Sequence, residues 1–135
     1  MRRILSPFFA LTLAAAVGVS IAGAQTATPP AKAGQCFFMR DWQSWKPSAD
    51  SKALFVRVGL HQVYRLDLND ACPDLQNIDA RVINRVRDGA DTVCGPLDLD
   101  LTVYTPPGQT TPCLVKAITP LTQDQAAALP KAEQP

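Results

Sequence analysis

Residues 53–68 read Ala-Leu-Phe-Val-Arg-Val-Gly-Leu-His-Gln-Val-Tyr-Arg-Leu-Asp-Leu. Leu54, Val56 and Val58 alternate with Ala53, Phe55 and Arg57. After a turn at Gly59–Gln62, Tyr64, Leu66 and Leu68 alternate with Val63, Arg65 and Asp67. Successive side chains of a strand point to opposite faces, so this period of two predicts a β-hairpin. One face buries Leu54, Val56, Val58, Tyr64, Leu66 and Leu68; the other carries Arg57, Arg65 and Asp67 into water. A lone hairpin is marginal in water. The rest of the chain must therefore supply strands that cover the apolar face.

Downstream, Asn69-Asp70 is a turn signal. Cys72–Ile78 suits one helical turn, with Pro73 at its first position and Leu75 and Ile78 three apart, both expected to face the core. Arg81–Arg87 is read as a strand with Val82 and Val86 inward, ended by a turn at Asp88-Gly89. Leu97–Tyr104 alternates cleanly. Leu97, Leu99, Leu101 and Val103 are expected inside, and Asp98, Asp100, Thr102 and Tyr104 outside. Pro106-Pro107-Gly108 is a turn with Pro107 and Gly108 suited to the central positions of type II. Cys113–Thr119 returns as the last strand. Val115 and Ile118 are three apart, so both can face inward only across a bulge. Thr122-Gln-Asp-Gln125 has capping-box spacing before Ala126–Leu129, and Pro130 stops the run, which predicts a helix over 122–129 and a fraying tail at 130–135. The result is an all-β, mainly antiparallel domain: a small barrel or sandwich of five or six strands with a short C-terminal helix.

Upstream, Arg2 and Arg3 precede a mostly apolar run from Ile4 to Val19, and Ala22-Gly23-Ala24 fits a small-x-small cleavage site. This is the pattern of a secretory signal peptide over residues 1–24. Position 25 is Gln, so the cysteine that a lipid anchor needs is absent there, and no membrane span is expected after cleavage. Residues 25–35 are small, polar and proline-containing and read as a flexible leader. The domain proper is expected at 36–121, with the short helix and tail at 122–135. Cleavage leaves eleven basic and twelve acidic residues, a balance that excludes the basic excess of nucleic-acid binding.

Four cysteines remain: Cys36, Cys72, Cys94 and Cys113. An even count in an exported chain argues for two disulfides, which a domain of about 110 residues uses to offset a modest core. No CxxC pair suggests zinc or redox chemistry. Of the three pairings, Cys36–Cys113 with Cys72–Cys94 is expected, the first tying the opening of the domain to its last strand.

Residues able to carry chemistry are few. His61, the only histidine, falls at the hairpin turn. Asp67, Asp70 and Asp74 cluster near one turn, but the glycine and distal glutamate of an EF-hand loop are missing. Asp98 and Asp100 share a strand face, where alternating acids serve to discourage edge pairing or to bind. Trp42 and Trp45, with Phe37 and Phe38 nearby, form either core or an aromatic platform for a sugar or peptide. Arg81, Arg85 and Arg87 make a small basic strip among Asp79, Asp88 and Asp91.

The ordered set Cys36 and Trp45, the Leu54–Leu68 hairpin with Tyr64-x-Leu66, Cys72-Pro73-x-Leu75, Cys94, and Cys113-x-Val115-x-x-Ile118 resembles a family of small exported bacterial proteins known only as a domain of unknown function. The likeness covers about residues 36–120. It implies one domain with paired cysteines and brings no catalytic residues or cofactor. Many family members look like lipoproteins, from which this chain departs at position 25. The expected role is a non-enzymatic periplasmic or secreted module binding a protein, peptide or glycan of the envelope through Trp42, Trp45, Asp98 or Asp100. The alternatives are a small hydrolase using aspartates and a subunit or inhibitor of a larger exported complex.

Overall fold

The computed structural model describes residues 36–89 and 91–135. The expected signal segment and leader lie outside the described residues. The described residues form nine strands: β1 (Phe37–Phe38), β2 (Trp42–Pro47), β3 (Ala53–Val58), β4 (Gln62–Leu68), β5 (Arg81–Val86), β6 (Thr92–Val93), β7 (Leu99–Thr105), β8 (Gln109–Pro112) and β9 (Val115–Leu121). They form a four-stranded sheet in the order β2-β3-β4-β9, a three-stranded sheet in the order β5-β7-β8, and the short pair β1-β6. Every pairing is antiparallel. The sheets do not close into a barrel; the sandwich is the alternative that the chain adopts.

The hairpin is β3-β4, in register from Ala53↔Asp67 to Val58↔Gln62. Its inward residues meet Leu99, Leu101 and Val103 of β7 and Val115 of β9 in one buried cluster, with Phe37, Val93 and Leu75 closing its ends. Leu54, Val56 and Leu66 are wholly excluded from water. Burying one such side chain is worth about 1.5–3 kcal/mol, so this layer supplies most of the driving force. The expected bulge in the last strand is present. Asp67 pairs with Ala117 but Leu68 with Val115, and the skipped residue keeps both Val115 and Ile118 against the core.

Two apolar residues expected inside lie outside. Ile78 is 96% exposed because the helical turn ends at Gln76, leaving only Leu75 on its buried side. Leu97 is 76% exposed because β7 starts at Leu99, and residues 96–98 form a 3-10 turn instead of extending the strand.

The disulfides are Cys36–Cys94 and Cys72–Cys113, not the expected pairing. Register explains both. Phe37 pairs with Val93 in β1-β6, so the residues one step out, 36 and 94, fall opposite each other. Leu68 pairs with Val115 and the Asn69 amide donates to the Leu114 carbonyl, so the chains leaving β4 and entering β9 run side by side to Cys72 and Cys113. The first bridge is exposed; the second is buried.

The C-terminal segment also departs from expectation. Helix α1 (Gln123–Ala127) is capped by Thr122 as predicted. Its hydroxyl accepts from the Gln125 amide at 3.2 Å, and the Gln125 side chain accepts from the Thr122 amide at 2.9 Å. The tail beyond it does not fray. The Ala49 amide donates to the Glu133 carboxylate at 2.8 Å, and the Gln134 side chain donates to the Leu129 carbonyl at 2.8 Å. The segment therefore crosses the outer face of the four-stranded sheet, from α1 beside β4 and β9 to the tail beside β2. On this face Ala53, Phe55 and Val63 are buried, and Asp67, expected in water, is half-buried. Arg57 and Arg65 of that face remain exposed.

Tyr64 packs against Phe37 with ring centroids 4.8 Å apart, and burial pushes its phenol above its ordinary value. The folded state thus retains a proton that the unfolded chain releases first. Stability is complete below about pH 10 and falls as pH rises through the folded value. Urea midpoints measured from about pH 9 to 11 should decline more steeply for the wild type than for Tyr64→Phe. Parallel curves would contradict this.

Candidate functional site

The two sheets differ in how their outer faces are finished. The four-stranded sheet is roofed by α1 and the tail, as described above. The three-stranded sheet has its inner face on the core, and among the described residues no element is paired to the far side of β5.

Register defines what its outer face displays. Arg81 pairs with Tyr104, Ile83 with Thr102 and Arg85 with Asp100. On the other side of β7, Tyr104 pairs with Thr110 and Thr102 with Pro112. Because cross-strand partners share a face, these residues form three rows on one surface. Burial alternates along β5 as the pattern requires. Arg81, Ile83 and Arg85 are exposed, while Val82, Asn84 and Val86 are half-buried on the inner side. Along β7, Leu99, Leu101 and Val103 are buried, leaving Asp100, Thr102 and Tyr104 outward. Ile83 is 41% exposed in the centre of the outer row. Arg87, immediately beyond β5, is also exposed.

The electrostatics are one-sided at the edge. Arg81 and Arg85 lie on the outermost strand and Arg87 just beyond it; among the described side chains, which do not include that of Asp88, none of the three is within ion-pair distance of a carboxylate. Asp100 faces Arg85 across the pair, one strand further in. The edge amides and carbonyls of β5 are thus flanked by guanidinium groups. Such an edge accepts a further strand through main-chain hydrogen bonds, with side chains setting the choice of partner.

The residues singled out from sequence do not converge on one place. Asp100 lies on this open face. Asp98 does structural work instead: its carboxylate accepts from the Cys94 and Gly95 amides, each at 2.8 Å, and ties the turn beside the exposed disulfide. Trp42 and Trp45 sit on the other sheet. A register shift between residues 42 and 44 of β2 turns both toward the interior, where both are half-buried against the core. Trp42 meets Phe37 edge-on at 6.4 Å. His61 is exposed at the hairpin turn. Asp67 is held by the Arg65 Nε at 2.8 Å and Asp74 accepts from the Thr111 hydroxyl. Among the described residues no group of three or more histidines, cysteines or acids is placed to hold a metal. The basic strip was visible in the sequence, but its importance was not. What makes it notable is that β5 is an edge, which follows only from sheet order.

Fold and surface together define the chain as a small antiparallel β-sandwich held by two disulfides, with one sheet roofed and the other uncovered among the described residues. It belongs to a family described as a family of unknown function, DUF6491, which it matches over residues 1–134. No curated protein and no solved structure matches the chain significantly. Among the described residues no helix is long and apolar enough to cross a membrane.

Proposed function

We propose that the protein is an extracytoplasmic binding module without chemistry of its own, which holds an extended acidic segment of an envelope protein against β5. The observation that carries the proposal is the edge strand itself: Arg81, Ile83 and Arg85 alternate with the inward Val82, Asn84 and Val86, and nothing described covers them. Arginine and tyrosine on a rigid surface are the side chains that contribute most at interfaces, and here Tyr104 stands beside Arg81. The location outside the cytoplasm is supported by the two disulfides, which persist in oxidising compartments.

Charge also selects against self-association through this edge. Antiparallel pairing of two β5 strands centred on Ile83 would set Arg81 of one copy opposite Arg85 of the other. Like charges directly opposite are destabilising, whereas a strand carrying acids at alternate positions meets arginines.

The reading is tested with an eight-residue peptide alternating glutamate and valine, and with its lysine–valine counterpart. The acidic peptide should bind, slow hydrogen exchange at β5 amides, and weaken as salt shortens the screening length. The double variant Arg81→Glu/Arg85→Glu should prefer the lysine peptide. Both substitutions lie on an exposed face, so the fold should survive them. Equal binding of both peptides by the wild type, or protection confined to other strands, would refute the proposal.

A further inference from the structure

The roofed sheet carries a second feature, distinct from the β5 edge. Register places Phe55, Arg65 and Thr119 in one row across β3, β4 and β9, with Asp67 and Leu121 two positions to either side. Gln125, Ala128 and Leu129 of the C-terminal segment stand over them. The sheet and this segment frame an open cleft of about 550 Å³ lined by these eight residues. That volume is within the range of small-molecule sites, roughly 300–1,000 Å³.

The lining is divided by chemistry. Phe55, Leu121, Ala128 and Leu129 make apolar walls. The polar groups are committed in a way that leaves donors. Arg65 gives its Nε–H to Asp67 at 2.8 Å, and the guanidinium lies 5.9 Å from the centre of the Phe55 ring. Its terminal nitrogens have no hydrogen-bond partner among the described residues. The Gln125 Oε1 accepts from the Thr122 amide, so its Nε–H₂ group is the part left to donate. Thr119 adds a hydroxyl. Lys46 and Arg57 stand beside Phe55 and Val63 on the same outer face, with Asp67 here, Asp124 on α1 and Glu133 on the tail as the nearby carboxylates.

We infer that this cleft binds a small molecule bearing a carboxylate next to an apolar body. The carboxylate meets the two terminal nitrogens of Arg65, a planar fork suited to bidentate contact, and the Gln125 amide. The apolar body lies on Phe55, Leu121 and Leu129. Asp67 holds the guanidinium by its remaining donor and so fixes the direction of the fork.

Octanoate is the probe, with octylamine and octanol of equal chain length as controls. Calorimetric titration of the purified protein should give a dissociation constant below about 1 mM for octanoate only. Amide shifts in NMR should concentrate on β4, β9 and α1. Arg65→Gln should weaken octanoate by about tenfold or more, the scale of one lost charge-assisted pair. Gln125→Glu provides an independent check: it keeps the cap acceptor but sets a negative charge against the ligand, and it should weaken binding likewise. Neither variant should alter capture of the acidic peptide at β5, so the two sites are separable. Equal binding of octanol or octylamine, unchanged affinity in both variants, or no octanoate binding at 10 mM (about ten times the expected constant) would overturn the inference.

Discussion

Reduction of both disulfides is expected to unfold the domain at room temperature. The bridges close loops of 58 and 41 residues. In the chain-entropy account each removes about 4 kcal/mol worth of freedom from the unfolded chain. Together they approach the whole stability of a typical domain, about 5–15 kcal/mol. The losses should not be equivalent in kind. Cys36–Cys94 is exposed and secures only the two-residue pair β1-β6 and Phe37. Cys72–Cys113 is buried within the core cluster and joins the end of β4 to the start of β9. Mild reductant should therefore open the first bridge in a still-folded protein. The double variant Cys36→Ser/Cys94→Ser should remain folded but lose about 2–5 kcal/mol in urea unfolding, whereas Cys72→Ser/Cys113→Ser should lose at least as much and also leave two hydroxyls in an apolar site. A fully reduced protein, with four titratable thiols and an unchanged melting temperature, would show that the sheets hold without covalent help.

What could be read from the chain followed the range of the signal. The β3-β4 hairpin, the alternation of β7 from Leu99 onward and the capping box at Thr122 are local patterns, and each stands where it was expected. The bulge in β9 was legible too, because Val115 and Ile118 are both apolar and only a skipped residue reconciles their spacing. The errors arose where a local pattern met a boundary set elsewhere. Leu97 continues the period of β7 on paper, yet Asp98 turns back to the Cys94 and Gly95 amides and the strand starts two residues later, at Leu99. Ile78 matches Leu75 by helical spacing, but the turn stops short of it. The disulfide pairing depended on two registers, β1-β6 and β4-β9, that no spacing of cysteines encodes. The candidate site was least legible of all. Arg81, Ile83 and Arg85 are an ordinary solvated strand face until β5 is known to be an edge, and Arg65 is an ordinary surface arginine until α1 is known to stand beside it.

Leu66→Ala is expected to lower stability by roughly 3 kcal/mol, about 15 °C in melting temperature. Leu66 is fully buried at the centre of the hairpin, paired with Leu54 on one side and Ile118 on the other. Its own strand, β4, is held on both sides by β3 and β9, so the surrounding side chains have little freedom to collapse into the space left. A cavity that stays open adds to the lost transfer energy. Ile78→Ala removes a comparable apolar volume from a side chain that is almost wholly in water, and should change stability by no more than about 0.5 kcal/mol. Leu97→Ala should behave like Ile78→Ala. The contrast is informative because hydrophobic spacing alone treats all three residues as interior. Thermal melts of the three variants therefore separate periodicity from burial. If Ile78→Ala or Leu97→Ala destabilised as strongly as Leu66→Ala, the turns at 73–76 and 96–98 would have to pack inward, and the core would extend beyond the cluster centred on the hairpin.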